Sequence, residues 1–484
     1  MENMKGKLKM TNNNPIGDNR NFFGKIFTKN SKKKENTYIG SIEGTIISEN
    51  HAVPIVAEAC ACCWDRPIPT SYDTQAEYIA KRSRIGHTSV TEHSNCVMLL
   101  KIPNEYSDDL IKLVSACRYL RTAIKKSTDN TAWYLLIGGS YRAYSDLIKN
   151  IDNIYSNTVL KFIIRQLKNC AHSCFFEDIL KDEHLSSVLQ KEDFENTDKI
   201  LMYNCSKAIR PAEGINRVST KLFDILWIDN IDIFLERLNN ALLTYGETKK
   251  IFNERDVYDF LSVTILFKNM SRTCTHQLVR HRNAITQESQ RYVNYSNASF
   301  ASPDRFTDRY DSNTKYNFEF GGNKYSMTLA DIGKAEIGIY KDLTNKSLNE
   351  EEGIKQALLK EDARSFLPSN VECGKIFMTF TFSSLFMFFI LRVDTAAQAE
   401  IRTFASSLYD WCKEHNEFIN EPIRPKYAID EYIAEDIDTE EFVGEPVKSV
   451  EEIIANNFGI DTKQVEKDYK DISSENNYKN NEEV

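Results

Sequence analysis

The chain has 484 residues, of which 41% are hydrophobic and 27% are charged, so it can bury a large core and is a globular protein. Of its net charge of −9, residues 431–484 contribute −11 and residues 1–36 contribute +6, which leaves −4 for the middle of the chain. This balance disfavours bulk binding of polyanions and a role at a membrane surface, so any anion site must be local.

The spacing of the cysteines indicates a reducing compartment, and the hydropathy of the chain disfavours a membrane span. The eleven cysteines are scattered without paired spacing, and neither a signal-peptide pattern nor a run of 18 apolar residues is present. The longest apolar stretch, residues 376–391, is interrupted by Thr and Ser, which favours buried core over a membrane span. We therefore expect free thiols, no membrane association and a cytoplasmic location.

The two ends of the chain differ from its middle. Residues 1–37 are rich in Asn and Lys without a sustained apolar period, which predicts a disordered basic tail. Residues 431–484 form an acidic tail that is predicted to be largely disordered, apart from one helix at 447–458. A single domain is expected over residues 38–430.

Within that domain, apolar periods of two and 3.6 residues predict strands and helices. Strands are predicted at 38–50, 94–102 and 260–269. Helices are predicted at 75–87, 107–125, 141–170, 231–246, 271–282 and 396–415, with a turn at 137–144 entering the second long helical segment.

A basic motif, "RHRNAITQESQRY", occupies residues 280–292. Arginine presents a planar charged fork that suits a phosphate or the carbonyl and imide edge of a pyrimidine. An isolated Arg-His-Arg is more often a solvated helix end, where cations stabilise the helix dipole. The polar run from Gln287 to Ser289 that follows reverses this preference and indicates a nucleotide-sized anion.

The motif resembles the signature of the flavin-dependent thymidylate synthases, which is Arg-His-Arg, a spacer, and Ser-x-Arg-Tyr. Three more segments resemble family segments in the family's order: "GHTSVTEHS" at 86–94, "DARSFLPSN" at 362–370 and "LRVDTAAQAEIR" at 391–402. In one departure, the six residues between Arg282 and Ser289 are one fewer than the family's usual spacer.

The resemblance implies an α+β fold, with a twisted, mainly antiparallel sheet, flanking helices and a long, mostly helical insertion at about 104–255. It also implies a homotetramer with shared active sites. The implied reaction is reductive methylation of dUMP to dTMP, with methylenetetrahydrofolate as carbon donor and NADPH-reduced FAD as hydride source. Neither a metal nor nucleic acid is expected.

The resemblance further implies which residues bind each ligand. The expected dUMP contacts are Gln277, Arg280, Gln287, Glu288, Ser289, Gln290, Arg291, Arg364 and Arg392. The expected FAD contacts are Ser89, Arg280, His281, Arg282 and Gln287. Arg392 is the catalytic candidate, because an arginine against the uracil edge stabilises enolate-like charge that develops on the ring.

Other groups that suggest chemistry are better explained by packing. Cys274 lies on a patterned helix, where burial is favoured over a role as nucleophile. The "CACC" run at 60–63 has no second Cys or His pair at zinc spacing.

Two other functions compete with the synthase. Thr381, Ser383, Met387 and Ala396 stand where the family has flavin contacts of other residue types, so a non-catalytic nucleotide-binding relative is one alternative. A single-stranded nucleic-acid binder that uses the basic motif and its tyrosines is another, and the net −4 of the middle region counts against it.

Overall fold

The computed structural model of the chain describes residues 42–150, 157–181, 218–301, 305, 311, 313–347 and 360–414. Contacts divide the chain into two compact units, Met1–Ile429 and Asp430–Val484, and every described residue belongs to the first. Both predicted tails and the predicted helix at 447–458 lie outside the described residues, so these assignments and the domain limits stay predictions.

The described residues contain strands and α-helices in alternation. The strands are β1 Glu43–Glu49, β2 Cys96–Pro103, β3 Arg121–Lys126, β4 Ala132–Gly139, β5 Val218–Ser219, β6 Phe223–Ile228, β7 Ser262–Lys268, β8 Ala284–Gln287, β9 Lys315–Phe320, β10 Asn323–Thr328 and β11 Lys375–Thr381. The helices are α1 Ala52–Trp64, α2 Tyr72–Arg84, α3 Ser107–Ala116, α4 Tyr141–Asn150, α5 Thr158–Cys170, α6 Glu177–Leu180, α7 Ile231–Thr244, α8 Glu254–Val257, α9 Arg272–Leu278, α10 Leu329–Ser347, α11 Phe382–Arg392 and α12 Ala399–Glu414.

The strands form antiparallel sheets, which confirms the predicted α+β class. One sheet has the order β1-β2-β4-β3, another has the order β5-β6-β7-β11-β8, and β9 and β10 pair as a hairpin. Helices cover the first sheet, and Val56, Ile79, Leu100, Ile137 and Phe162 belong to the core cluster between them. The candidate site lies on the second sheet.

Local signals explain why several predicted elements are confirmed. Helix α2 begins after Ser71, whose side chain accepts a hydrogen bond from the Thr74 amide in a capping box. Gly86 follows the helix with φ +91°, a conformation that favours glycine. The apolar stretch at 376–391 becomes β11 and most of α11, with Phe377 and Phe389 fully buried, as expected for core. Among the described helices, none has the length and apolar character needed to cross a membrane.

Two predicted elements are wrong in part. The helix predicted at 107–125 ends at Ala116, and Arg121–Lys126 instead forms edge strand β3 against β4. Charged residues are common on edge strands, and here they resemble the polar face of a helix. The turn predicted at 137–144 begins as strand, because Gly138 lets β4 pack closely: a Cβ there would lie 2.9 Å from atoms of Phe260 and Val97.

The segment at about 104–255 contributes strands to both of the larger sheets. Its single predicted helix at 141–170 is two helices, α4 and α5, with 151–156 outside the described residues. Besides its helices, the segment supplies β3 and β4 to the first sheet and β5 and β6 to the second. Both sheets therefore depend on it.

His93 links the 3₁₀ turn Thr88–His93, which carries Ser89, to the second sheet by hydrogen bonds. Its Nδ1 lies 2.9 Å from Thr379 Oγ1 and its Nε2 lies 3.0 Å from Thr286 Oγ1. Complete burial lowers the pKa of His93 to about 3, so the ring is neutral at pH 7. His93 is thus a structural histidine that links β8 and β11 to the 3₁₀ turn Thr88–His93.

Candidate nucleotide and cofactor site

The basic motif follows a short helix, α9, that is anchored at its first turn. Ser271 caps α9 by accepting a hydrogen bond from the Cys274 amide. The buried carboxylate of Glu400, in α12, accepts hydrogen bonds from the Ser271 amide at 2.9 Å and from the Ser271 hydroxyl. Arg305 donates to the same carboxylate at 2.8 Å. Helix α12 therefore fixes the start of α9, the helix that leads into the motif.

Arg392, at the C-terminal end of α11, contacts His281, the second residue of the motif. Its Nε donates to His281 Nε2 at 2.9 Å, so the imidazole accepts there and carries its proton on Nδ1. Burial first, and Arg392 second, lower the pKa of His281 to about 4. Burial and the charge of Arg280 lower the pKa of Arg392. These three residues, which we call the cationic corner, combine two guanidinium groups with a neutral imidazole.

The backbone turns sharply directly after the cationic corner. Arg282 adopts a left-handed conformation with φ 51°, which ends the helical turn and lets β8 begin two residues later. Its side chain is exposed, and the structure does not bring it into the cationic corner by any hydrogen bond or ion pair among the described residues.

After β8 the motif forms a loop that packs against the end of α1. The Ser289 amide donates to the Cys63 carbonyl at 3.0 Å, and the Tyr292 amide donates to the Ser289 carbonyl at 3.0 Å. The ring of Tyr292 stacks on Trp64, with centroids 3.9 Å apart. Residues 289–292 are therefore held in place by α1.

Arg291 and Arg364 share one exposed carboxylate. Arg291 Nε lies 3.1 Å and Arg364 Nη2 lies 3.6 Å from Glu361 Oε1. Exposed pairs of this kind contribute little, about 0–1 kcal/mol. A phosphate can therefore compete with Glu361 for both arginines.

Three other predicted dUMP residues are engaged within the scaffold. The Glu288 carboxylate is 9% exposed, accepts from the Tyr295 hydroxyl at 2.7 Å, and has a pKa raised by burial. Gln290 is buried and accepts from Arg272, and Gln277 donates to Gln398. This geometry favours a positioning role for Glu288 and Gln290 over direct contact with a ligand.

A cavity of about 140 Å³ lies where α1, α2 and β8 meet. Its lining includes Ser89 and Gln287, two of the expected FAD contacts. It also includes Trp64, Arg82 and His87, which the sequence reasoning missed. The signal for His87 was present, because it lies two residues before Ser89 in the Gly-His segment, whereas Arg82 and Trp64 come together only in three dimensions.

Neither Cys274 nor Ser289, the two candidate nucleophiles in or beside the motif, is activated. Cys274 is 0% exposed, and burial raises the pKa of its thiol. The Ser289 hydroxyl accepts a hydrogen bond from the Arg291 amide at 3.3 Å. Searching the described ranges for three or more His, Cys, Asp or Glu side chains placed to hold a metal gives no group.

All four positions that depart from the family's flavin contacts lie among the described residues, and two of them differ sharply in exposure. Thr381 is 8% exposed and caps α11 by accepting from the Ser384 amide at 3.1 Å, so its hydroxyl is engaged. Met387, on the same helix, is 48% exposed.

Comparison with known proteins gives consistent matches. The family model described as thymidylate synthase complementing protein matches residues 236–416. A flavin-dependent thymidylate synthase of Nitratidesulfovibrio vulgaris is 34% identical over 157 residues, covering 32% of this chain and 58% of that protein. One of Clostridium tetani is 33% identical over 189 residues, covering 38% of this chain and 69% of that protein.

A crystal structure of the flavin-dependent thymidylate synthase of Helicobacter pylori, complexed with FAD and dUMP, is also similar. It has 18% identity and a TM-score of 0.26, and the match covers 42% of this chain and 98% of that one. The sequence relatives, and not this structure, show the family of the chain.

Proposed function

Because this chain belongs to the flavin-dependent thymidylate synthase family, we propose that it converts dUMP to dTMP by reductive methylation. Methylenetetrahydrofolate is the carbon donor and NADPH-reduced FAD is the hydride source. The observation that carries the proposal is the cationic corner, in which Arg392 is held at one nitrogen by His281 and keeps its remaining N–H groups for a ligand.

Two pairs of arginines bind different parts of dUMP. Arg291 and Arg364, which share Glu361, bind the phosphate of dUMP when it displaces that carboxylate. Arg280 lies close enough to lower the pKa of Arg392, and the two arginines bind the uracil edge. A charge-assisted hydrogen bond contributes about 1.5–3 kcal/mol, so this set supports binding of a nucleoside monophosphate.

Methyl transfer to uracil requires a nucleophilic C5 carbon. The Arg392 guanidinium, placed at the carbonyl edge, stabilises the negative charge that develops on the ring. The neutral His281 fixes the orientation of the guanidinium without adding a third positive charge. The buried thiol of Cys274 is not used as a nucleophile.

The cavity residues fit a flavin cofactor. Ser89 and Gln287 offer polar groups, and Arg82 supplies a positive charge at a cavity wall. These residues would hold FAD, which, once reduced by NADPH, would supply the hydride that completes the methyl group. Burial of Thr381 as a helix cap favours the second candidate function, a relative that binds dUMP without flavin chemistry.

We also propose a homotetramer with shared active sites. Val279 and Leu391, the sequence neighbours of Arg280 and Arg392, are 41% and 51% exposed. Met387 lies one turn from Leu391 on α11 and is also exposed. Apolar side chains beside a polar site are covered when a second subunit completes it. The ten cysteines of the described residues are free thiols, which suits a reducing cytoplasm.

The test is dTMP formation by the purified chain under anaerobic conditions, with FAD, NADPH, methylenetetrahydrofolate and dUMP. We expect dTMP in the complete mixture and none when any one of NADPH, the folate or dUMP is omitted. Absence of dTMP in the complete mixture, from protein shown to be folded by circular dichroism, would contradict the synthase.

A further inference from the structure

Arg82 occupies an unusual position at the wall of the cavity. Its guanidinium carbon lies 4.4 Å from the centroid of the Trp64 ring and 5.0 Å from that of Tyr78. Its Nε is buried and has no hydrogen-bond partner among the described residues. The aromatic contacts hold the guanidinium but leave N–H donors unsatisfied.

The cations next to Arg82 on α2 each pair with a carboxylate, whereas no such pair of Arg82 is found among the described residues. Lys81 pairs with Glu77 at 3.8 Å, and Arg84 pairs with Glu177 at 3.1 Å. No carboxylate within the described ranges lies at salt-bridge distance from Arg82. Because the Arg82 Nε donor is buried without a partner, which costs free energy, this arrangement indicates that an anion binds there.

The groups that share the wall do not supply that anion. Cys60 and Cys63 line the same cavity, and burial raises the pKa of both thiols, to about 12 for Cys60. Both sulfurs are therefore neutral at pH 7 and leave the charge of Arg82 uncompensated.

We infer that Arg82 binds the diphosphate of the cofactor, an assignment that rests on the proposed function. In oxidised FAD the ring system is neutral, and the diphosphate carries the permanent negative charge. A planar guanidinium forms paired hydrogen bonds with phosphate oxygens. Trp64 orients this fork in advance, and it also stacks on Tyr292 of the motif loop.

The test compares Arg82→Met with Lys81→Met, which removes the same charge from the adjacent position of the same helix. Lys81 is exposed and paired only at the surface, so it controls for net charge. The dissociation constant of FAD is measured by flavin fluorescence, and the reduction potential of bound FAD is measured by dye titration. Arg82→Lys keeps the positive charge but not the planar guanidinium, so it separates the two contributions to FAD affinity. Thermal unfolding of every variant shows whether a loss of affinity comes from misfolding.

For Arg82→Met we expect the dissociation constant of FAD to rise at least tenfold, with an unchanged reduction potential of the flavin still bound at saturation. The dissociation constant of Arg82→Lys should fall between those of wild type and Arg82→Met. The dissociation constant of Lys81→Met should stay within twofold of wild type. An Arg82→Met constant within twofold of wild type would overturn the inference. A weaker affinity with a lowered potential would place Arg82 against the ring and also overturn it. Failure of the wild-type chain to bind FAD would instead reject the proposed function.

Discussion

Replacing Arg392 with alanine is expected to lower kcat/KM for dUMP by at least about 10²–10³-fold, the usual effect of removing one donor that stabilises transition-state charge. The fold should survive, because the Arg392 side chain is only partly buried and its described hydrogen bond is to His281, which is half-buried. Steady-state kinetics, with thermal unfolding of the same preparation, measure the two effects separately.

Arg84→Ala is a matched control for this substitution. Arg84 is also a partly exposed arginine at the C-terminal end of a helix, and its partners Glu77 and Glu177 lie outside the site. We expect its kcat/KM to stay within about twofold of wild type, since an exposed pair contributes about 0–1 kcal/mol. Wild-type turnover by Arg392→Ala would end the proposed mechanism.

Glu400→Ala is expected to lower the free energy of unfolding by about 3–5 kcal/mol, because removing one member of a buried charged network leaves its partners uncompensated. The partners are the Ser271 amide and hydroxyl and the Arg305 guanidinium. The start of α9 would lose its anchor, so dUMP affinity should fall as well. Urea denaturation measures the stability change.

Glu372→Ala provides the comparison on the same arginine. Glu372 pairs with Arg305 at 2.6 Å, and its side chain is 20% exposed whereas that of Glu400 is 1% exposed. We expect a loss of about 1 kcal/mol or less for Glu372→Ala, because the lost ion pair is partly exposed and Arg305 keeps the buried Glu400 as its partner. Equal losses in the two variants would show that burial of Glu400 does not set its contribution.

The sequence indicated the composition of the site better than its arrangement. The resemblance predicts that Arg280 and Arg392 contact the same ligand, and the hydrogen bond from Arg392 to His281 is consistent with that prediction. The side chains of Glu288 and Gln290 face the scaffold, and no sequence pattern distinguishes a residue that faces a ligand from its neighbour that faces Tyr295 or Arg272. Loop orientation depends on tertiary packing.

The missed features share one cause. Arg82 and Trp64 lie on different helices, and neither local period nor spacing signals their contact. The sequence of strand β3 predicts a helix because its charged edge resembles a helical polar face, and only pairing with β4 distinguishes the two. Capped helices such as α2 were predicted well because their signals are local.

The most direct test of the proposed function is the visible absorption spectrum of the purified chain after incubation with FAD and desalting, recorded before and after addition of dUMP. The synthase predicts a retained flavin band that shifts when dUMP binds, since both ligands then occupy one site. No retained flavin, with dUMP binding still measurable by calorimetry, would contradict it and identify a nucleotide-binding relative without redox chemistry.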